Sequence, residues 1–384
     1  VLFTYGMWNV WCRETFGKAQ LACRDAFFRE QEQALRLLLF HDTIGDDFIL
    51  EPWFTLRAAV VTPAEGLWGV REGRVGEENS QAGGSYKQDP PLKTWQDMRK
   101  LIKPTHRIDE AETTRRLECL QEAIGDLVVI NLDRSPAYLN FQGDISTTLA
   151  ALRGLEQIMY DMSDAPEQLH ALLAFLRDGI LETHQQAEQA GDWSLTAQKN
   201  QVMCYCDELE APRANAFGRK RSELWCHLAA QEYTLISPRM HDEFLLQYQL
   251  PIIEAFGLAA YGCCENLTGK IKMLRQIKNL RSIAVTPTAN VAKCAEQIGA
   301  DYVFSWRPNP AQMVCVGFDE ENIRQILRRG LEDARGCRAH ILLKDVETVE
   351  GDLSRLPAWA RIGGELGIPV YLYEEAARKP ERRN

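Results

Sequence analysis

Short apolar runs alternate with amphipathic stretches of helical length from about residue 126 onward. The apolar runs are rich in β-branched and aromatic residues, and several are apolar throughout, which is typical of parallel strands covered on both faces. This alternation predicts successive βα units and limits the chain to the α/β folds. The predicted strands are 126–133, 200–206, 223–229, 258–264, 281–287, 301–306 and 339–345.

The amphipathic stretches carry helix start and stop signals. Asp164 is the predicted N-cap of a helix that has Pro166 in its first turn and ends at Gly191. Ser237 and Asp319 are the predicted caps of two later helices. The helix with Pro166 in its first turn has an apolar face that predicts burial, formed by Leu169, Leu172, Leu173, Leu176 and Ile180.

Seven or eight βα units in one unbroken run favour a closed (β/α)8 TIM barrel over an open sheet. No Gly-x-Gly-x-x-Gly follows a predicted strand, so a dinucleotide-binding sheet lacks its usual motif. Residues 1–110 are instead rich in aromatics and turn signals, and they include a long exposed loop predicted over 77–92. We therefore expect an N-terminal extension over 1–110 that packs on a barrel formed by 111–384.

Composition excludes some classes of protein. A net charge of -10 and a pI near 5.4 argue against nucleic-acid binding, which depends on Lys and Arg. No apolar stretch is long enough to cross a membrane. Eleven cysteines without a disulfide-like spacing indicate reduced thiols in a cytoplasm, such as that of an anaerobe. The sequence leaves monomer and homodimer open.

In a (β/α)8 barrel, catalytic residues lie at the C-terminal ends of the strands. Candidate residues are therefore expected where the predicted strands end. A thiolate with carboxylate neighbours is a reasonable ligand set for Zn²⁺, which would then act as a Lewis acid. No Cys-x-x-Cys or His-Glu-x-x-His occurs, so buried structural cysteines stay an alternative, as does a Lys344 salt bridge for Asp345. The residues at predicted strand ends are Gln231, Glu232, Tyr261, Cys263, Cys264, Glu265, Trp306, Asn309, Asp345 and Glu347.

Several motifs occur in an order that resembles the uroporphyrinogen decarboxylase superfamily, including its cobalamin-dependent methyltransferase branch. They are "LEQIMYDMSDAPEQLHALL", "SPRMHDEFLLQYQLP", "YGCCENL", "GADYVFSW" and "HILLKDVETV", and the resemblance spans roughly residues 125 to 370. It implies a (β/α)8 barrel with its funnel at the strand C-termini. The decarboxylases' "RQAGR"-type arginine motif does not occur here, so decarboxylation of uroporphyrinogen is not expected.

The methyltransferase branch binds zinc through His-x-Cys at the fifth strand end and a Cys at the eighth. The resemblance places Cys264 on that cysteine, Gly262 on the histidine, and Asp345 or Glu347 on the last ligand. A changed ligand set of Cys263, Cys264 and Glu265 is the expectation for a Zn²⁺ site. The methyl-ether-cleaving relatives are the nearest function that this departure suggests.

The resulting expectation is a corrinoid-dependent methyltransferase that moves a methyl group from a small donor, such as an aryl methyl ether, to cobalamin on a partner corrinoid protein. Glu232, Asp345 and Glu347 are the expected catalytic residues. The side chains expected to bind the substrate are Gln231, Tyr261, Trp306 and Asn309. Two alternatives stay open: a metal-free decarboxylase or lyase of the same superfamily, and a non-catalytic tetrapyrrole-binding barrel.

Overall fold

The computed structural model describes residues 2–5, 14–75, 87–138, 143–197, 205–315 and 317–367. It shows an α/β protein with parallel sheets, as the alternating pattern predicts. The chain divides into two compact units, of which unit 1 comprises Val1–Glu51 with Val285–Asn384 and unit 2 comprises Pro52–Ala284. This division does not coincide with the boundary expected at residue 110. Among the described residues, strand hydrogen bonding does not close into a ring.

Unit 2 contains two parallel strand groups. β2 (Trp53–Arg57) pairs with β5 (Val129–Asp133), so a strand from before residue 110 is part of the same small sheet as a strand from after it. β6, β7 and β8 form a second parallel group, in the order of the chain. A short antiparallel pair, β3 and β4, flanks residues 76–86 and replaces part of the loop predicted over 77–92. The strands are β2 (Trp53–Arg57), β3 (Gly73–Val75), β4 (Lys87–Asp89), β5 (Val129–Asp133), β6 (Trp225–Leu228), β7 (Leu258–Tyr261) and β8 (Leu280–Val285).

The helices of unit 2 bury apolar side chains, and two of them contact strands: Glu110–Ile124 contacts β5, and Gln247–Ile253 contacts β6. On α5, the five predicted core residues from Leu169 to Ile180 are all fully buried, which confirms the amphipathic pattern. The helices are α2 (Glu110–Ile124), α3 (Ser146–Arg153), α4 (Leu155–Asp164), α5 (Pro166–Ala190), α6 (Pro238–His241), α7 (Gln247–Ile253) and α8 (Ile271–Leu274); a π-helical turn, Asp242–Leu246, joins α6 to α7. Short 3-10 turns occupy Trp95–Lys100, Arg221–Glu223 and Gln231–Tyr233.

Unit 1 contains a parallel group in which β10 lies between β1 and β9. Its helix α10 begins at Glu320, after the N-cap Asp319, whose side chain accepts two backbone N–H groups as predicted. The elements are a 3-10 turn (Lys18–Gln20), α1 (Ala26–Asp42), α9 (Val291–Ile298), β1 (Leu2–Tyr5), β9 (Val303–Trp306), a π-helical turn (Ala311–Cys315), α10 (Glu320–Asp333), β10 (Arg338–Lys344) and α11 (Arg355–Glu365).

The helix-start predictions had mixed outcomes. Ser237 caps α6 by accepting the Met240 N–H, as predicted. Asp164 does not cap α5, because α4 continues to Asp164 and α5 begins at Pro166. The physical reason is that a residue before proline is disfavoured in the helical region, so the break falls on Ala165. Gly191 ends α5 in the left-handed conformation, as predicted.

Six of the seven predicted strands are present; the strand predicted over 200–206 lies mostly outside the described residues. Within the described part of the chain, none of the helices has the length and apolarity needed to cross a bilayer.

Candidate acid–base site

A strained turn precedes α3 in unit 2. Ile145 has φ 71° and ψ −45°, a conformation that a β-branched residue rarely adopts. Its side chain is fully buried, and so are the side chains of Asp144 and Ser146 on either side. Backbone strain of this kind costs about 1–3 kcal/mol and clusters at functional sites. The turn therefore points to Asp144 and Ser146, neither of which the strand-end rule selected.

Asp144 is fully buried, and its carboxyl group contacts hydroxyl and backbone groups. Its Oδ1 accepts the Thr147 N–H at 3.0 Å and lies 3.3 Å from the Ser146 hydroxyl oxygen. Within the described residues, no arginine or lysine forms an ion pair with this carboxyl group. Burial raises the pKa of Asp144 well above its ordinary value, and the nearby carboxylates of Glu232 and Glu265 raise it further. Asp144 therefore holds a proton under conditions in which an exposed aspartate would not.

Two hydroxyl groups bridge Asp144 to Glu232, which lies in the 3-10 turn just after β6. The Ser146 hydroxyl donates to Glu232 Oε2 at 2.7 Å and lies 3.3 Å from Asp144 Oδ1. The Thr147 hydroxyl donates to Glu232 Oε1 at 3.1 Å and lies 3.4 Å from Asp144 Oδ2. Glu232 is half-buried, whereas Asp144 is fully buried. The arrangement can pass a proton from the buried carboxyl, through a hydroxyl, to the accessible one.

A neutral hydrogen-bond network holds the backbone around this pair. Gln249 Nε2 donates to the carbonyls of Asp144 and Ala229 at 2.6 and 2.9 Å, which fixes the orientation of the amide. Its Oε1 must then accept the Tyr261 hydroxyl proton at 2.7 Å. His241 Nε2, 2.9 Å from that hydroxyl oxygen, must donate to it. Burial, and secondarily Lys270, lowers the pKa of His241 to about 3, so the ring is neutral.

Tyr261 was expected to bind a substrate, but its side chain is only 1% exposed and its hydroxyl belongs to this network. The geometry makes it a positioning residue, because it holds Gln249, which in turn holds the carbonyl of Asp144. Gln231, the other substrate-binding residue expected in unit 2, is half-buried at the start of the turn that carries Glu232.

Glu265 ties the ends of β6 and β7 together. Its Oε1 accepts the Ala230 N–H and its Oε2 accepts the Cys263 N–H, both at 2.8 Å. Lys270 lies nearby and donates to the Tyr233 carbonyl at 2.5 Å; burial lowers its pKa to about 8, against the opposing effect of Glu265. Both carboxylate oxygens of Glu265 are therefore engaged by backbone, which is a structural role and not the metal-binding one expected.

The turn that holds Cys263 and Cys264 leaves no room for a histidine at position 262. Gly262 has φ 102°, and a Cβ there would lie 2.7 Å from Leu267 Cδ1 and 2.9 Å from Ala284 Cβ. Such contacts are too short for any residue other than glycine. The position that the resemblance aligns with the zinc-binding histidine is thus occupied by glycine for a steric reason.

The described residues do not fit a zinc ion. Among them, no group of three or more His, Cys, Asp or Glu side chains is arranged to hold a metal. Cys263 and Cys264 supply two adjacent sulfurs, but the third expected ligand, Glu265, is committed to backbone N–H groups. Cys204, a further thiol at the end of the strand predicted over 200–206, lies outside the described residues.

Of the four candidates in unit 1, Asp345, Asn309 and Trp306 have structural contacts, and Glu347 is exposed. Asp345 has φ 57° and forms an ion pair with Lys344 at 3.0 Å, the alternative left open by the sequence. Glu347 is exposed. Asn309 is exposed, and its Oδ1 accepts the Ala311 N–H at the start of a π-helical turn.

Trp306 is 5% exposed and packs against α10. A Cβ added at Gly330 of that helix would lie 2.1 Å from the indole ring, so the helix approaches the ring through a glycine. The indole is therefore a buried core side chain in close contact with a helix.

A separate surface cavity of about 540 Å³ lies in unit 2, between the start of α6 and α8. It is lined by Pro238, Arg239, Asp242, Gly269, Lys272, Met273 and Gln276. Neither Asp144 nor Glu232 lines this cavity, so it is distinct from the acid–base site.

The site residues that the sequence reasoning missed are Asp144, Ser146 and Thr147, which lie together in "GDISTT". The available signal was an acidic residue followed by three hydroxyl residues at the start of a helix, a pattern that also fits an ordinary cap. No protein-family model matches this chain, and no curated protein matches it either.

Proposed function

We propose that Asp144 and Glu232 are the proton-donating pair of a corrinoid-dependent methyltransferase that cleaves a small methyl ether. The observation that supports this most is the double hydroxyl bridge between a buried carboxyl whose pKa is raised and a half-buried one. The motif order supports the superfamily, a (β/α)8 barrel and the corrinoid partner as further parts of the proposal.

The chemistry requires a proton at the leaving oxygen. When the C–O bond of the donor breaks, the oxygen keeps the electron pair, and protonation makes it a better leaving group. Glu232 donates that proton, and Asp144 replaces it through the hydroxyl of Ser146 or Thr147. The methyl acceptor, cob(I)alamin on a partner protein, is the second substrate. General acid catalysis of this kind contributes about 10²–10⁴-fold to a rate.

The proposal is tested by mixing the purified protein with cob(I)alamin and a panel of methoxylated aromatics, and by following methylcobalamin and the demethylated phenol together. Asp144→Asn and Glu232→Gln should each lower turnover by about 10²-fold or more. Glu254→Gln removes a carboxylate that pairs with Lys278 at the surface, and it serves as the matched control. Full activity of both carboxyl variants, or no product from any donor, would refute the proposal.

A metal-free decarboxylase or lyase is the second candidate. It is favoured by one observation: the described residues supply a buried proton donor but no three-ligand metal set. The proton on Asp144 would then quench the carbanion left when CO₂ departs. Release of labelled CO₂ from carboxylate substrates without cob(I)alamin would select this candidate, whereas a tetrapyrrole that binds without any turnover would exclude both.

A further inference from the structure

Cys263 and Cys264 present two thiols at the end of β7. Their Sγ atoms are 3.5 Å apart, and neither forms a disulfide. Their surroundings differ, because Cys263 is 2% exposed whereas Cys264 is exposed. We propose that this pair is a redox-sensitive vicinal dithiol, which a peroxide closes into a disulfide and a thiol reductant reopens. Closure would loosen the Glu265 clamp, the pair of hydrogen bonds by which the Glu265 carboxylate holds the N–H groups of Ala230 and Cys263.

The closing reaction has two balanced steps. The exposed Cys264 thiol attacks the peroxide: an S–O bond forms, the O–O bond breaks, and one water leaves. The Cys263 sulfur then attacks the Cys264 sulfenic acid: an S–S bond forms, the S–O bond breaks, and a second water leaves. Two thiols and one H₂O₂ give one disulfide and two waters. The sulfurs must move from 3.5 Å to about 2.05 Å, which requires side-chain rotation together with a change in the peptide that joins the two cysteines.

The disulfide between adjacent residues is expected to be easily reduced. Consecutive Cα atoms are about 3.8 Å apart, below the roughly 4.4–6.8 Å of ordinary disulfides. A disulfide forced outside that range is strained, and strained disulfides are the labile, regulatory ones. This argues for a reversible modification over a permanent structural bond.

Closure would act on the clamp because the backbone of Cys263 is part of it. The Cys263 N–H donates to Glu265 Oε2, and Glu265 Oε1 accepts the N–H of Ala230, two residues before Glu232. The eight-membered ring of a vicinal disulfide constrains the peptide that joins the two cysteines. A changed peptide orientation moves the end of β7 relative to Glu265, and through Glu265 relative to the end of β6. This inference depends on the turn geometry and not on the proposed methyl transfer.

The sequence allows a direct test by peptide mapping. Trypsin cleaves after Arg239 and Lys270, so peptide 240–270 contains both thiols and no other cysteine. The full-length protein is treated with a small excess of H₂O₂, alkylated with iodoacetamide and digested. The expected peptide is two hydrogens lighter and unalkylated, and dithiothreitol restores two alkylatable thiols. A peptide that keeps both thiols, or one with oxidised Cys264 beside an alkylated Cys263, would overturn the proposal.

Two variants and a control sharpen this test. Cys263→Ser and Cys264→Ser should each abolish closure, whereas Cys337→Ser, a half-buried cysteine elsewhere in the chain, should leave it unchanged. Phenylarsine oxide gives a second readout, because it binds two close thiols with loss of one water. An arsenical adduct on peptide 240–270 of the wild type, lost in either variant, is the expected result. The absence of that adduct from the folded wild type would overturn the proposal.

Hydrogen exchange tests the effect on the clamp. After oxidation, the amides of Cys263 and Ala230 should exchange faster, because their bonds to Glu265 are weakened. Unchanged exchange at both amides in a protein with the disulfide formed would refute the link to Glu265.

Discussion

Two buried aspartates of unit 2, Asp161 and Asp144, differ in the groups that surround their carboxyl oxygens. Asp161 receives two hydrogen bonds from Arg153, at 2.7 and 3.1 Å, and a third from Gln157 at 2.9 Å. Asp144 accepts the Thr147 N–H, lies 3.3 Å from the Ser146 hydroxyl oxygen and faces the carboxylate of Glu232. The same type of side chain thus has two roles. Asp161, paired with a cation, stabilises the fold, whereas Asp144, which faces another carboxylate, favours its protonated form.

Arg153 anchors more than Asp161. Its Nη1 also donates to the Leu92 carbonyl at 2.8 Å, and its guanidinium lies 4.3 Å from the centre of the Trp95 ring. The ion pair therefore joins α3 and α4 to the segment before them.

The largest expected effect is the loss of this anchor. Arg153→Met leaves the Asp161 charge buried without its partner, so the free energy of unfolding should fall by about 3–5 kcal/mol. Urea denaturation measures the change. Arg213→Met is the matched control, because the Arg213–Glu210 pair is exposed and should contribute at most about 1 kcal/mol. If both variants lowered the free energy of unfolding equally, the buried Asp161 would depend on its arginine no more than the exposed Glu210 does.

Asp144→Asn should affect turnover and leave stability intact. The asparagine has the same shape and can still accept the Thr147 N–H, but it cannot donate a transferable proton. Turnover should fall by about 10²-fold or more, while the urea midpoint should not fall. A large loss of stability with this variant would mean that Asp144, like Asp161, is a structural carboxylate.

The same variant predicts a pH dependence of stability. The pKa of Asp144 is higher in the folded protein than its ordinary value of 3.8, so the folded state binds the proton more tightly than the unfolded state. The wild type should therefore lose stability relative to Asp144→Asn as the pH rises above about 3.8, until the pH passes the folded pKa. Urea titrations of both proteins at several pH values measure this difference; a difference that is constant with pH would contradict it.

The smallest effect is expected at Glu347, in unit 1. Because this carboxylate is exposed, Glu347→Gln should change the free energy of unfolding by no more than about 0.5 kcal/mol. Turnover should stay within about twofold of the wild type if the acid–base pair is in unit 2. A tenfold loss of turnover would instead support the strand-end expectation for the last strand.

The sequence predicted the strands after residue 126 well because buried parallel strands are apolar in nearly every residue, as in "LAAY" of β7. It selected Glu232 by its place after β6. It could not select Asp144, whose burial depends on contacts with residues such as Gln249, far along the chain. The burial of Trp306 could not be predicted either. Adjacent strand residues point to opposite faces of a sheet, and the sequence does not say which face meets a helix.

Gly262 limits how this protein can change. A His-x-Cys pair at the end of β7 would need histidine at position 262, where both the backbone conformation and the space beside Leu267 and Ala284 exclude a side chain. Replacing Leu267 or Ala284 alone by a smaller residue would leave a gap in the core and add no metal ligand. Such a first substitution would therefore only lower the stability of the fold. A mutational path from this turn to a histidine-containing metal centre is thus closed to single exchanges, and directed evolution would have to rebuild the turn at once.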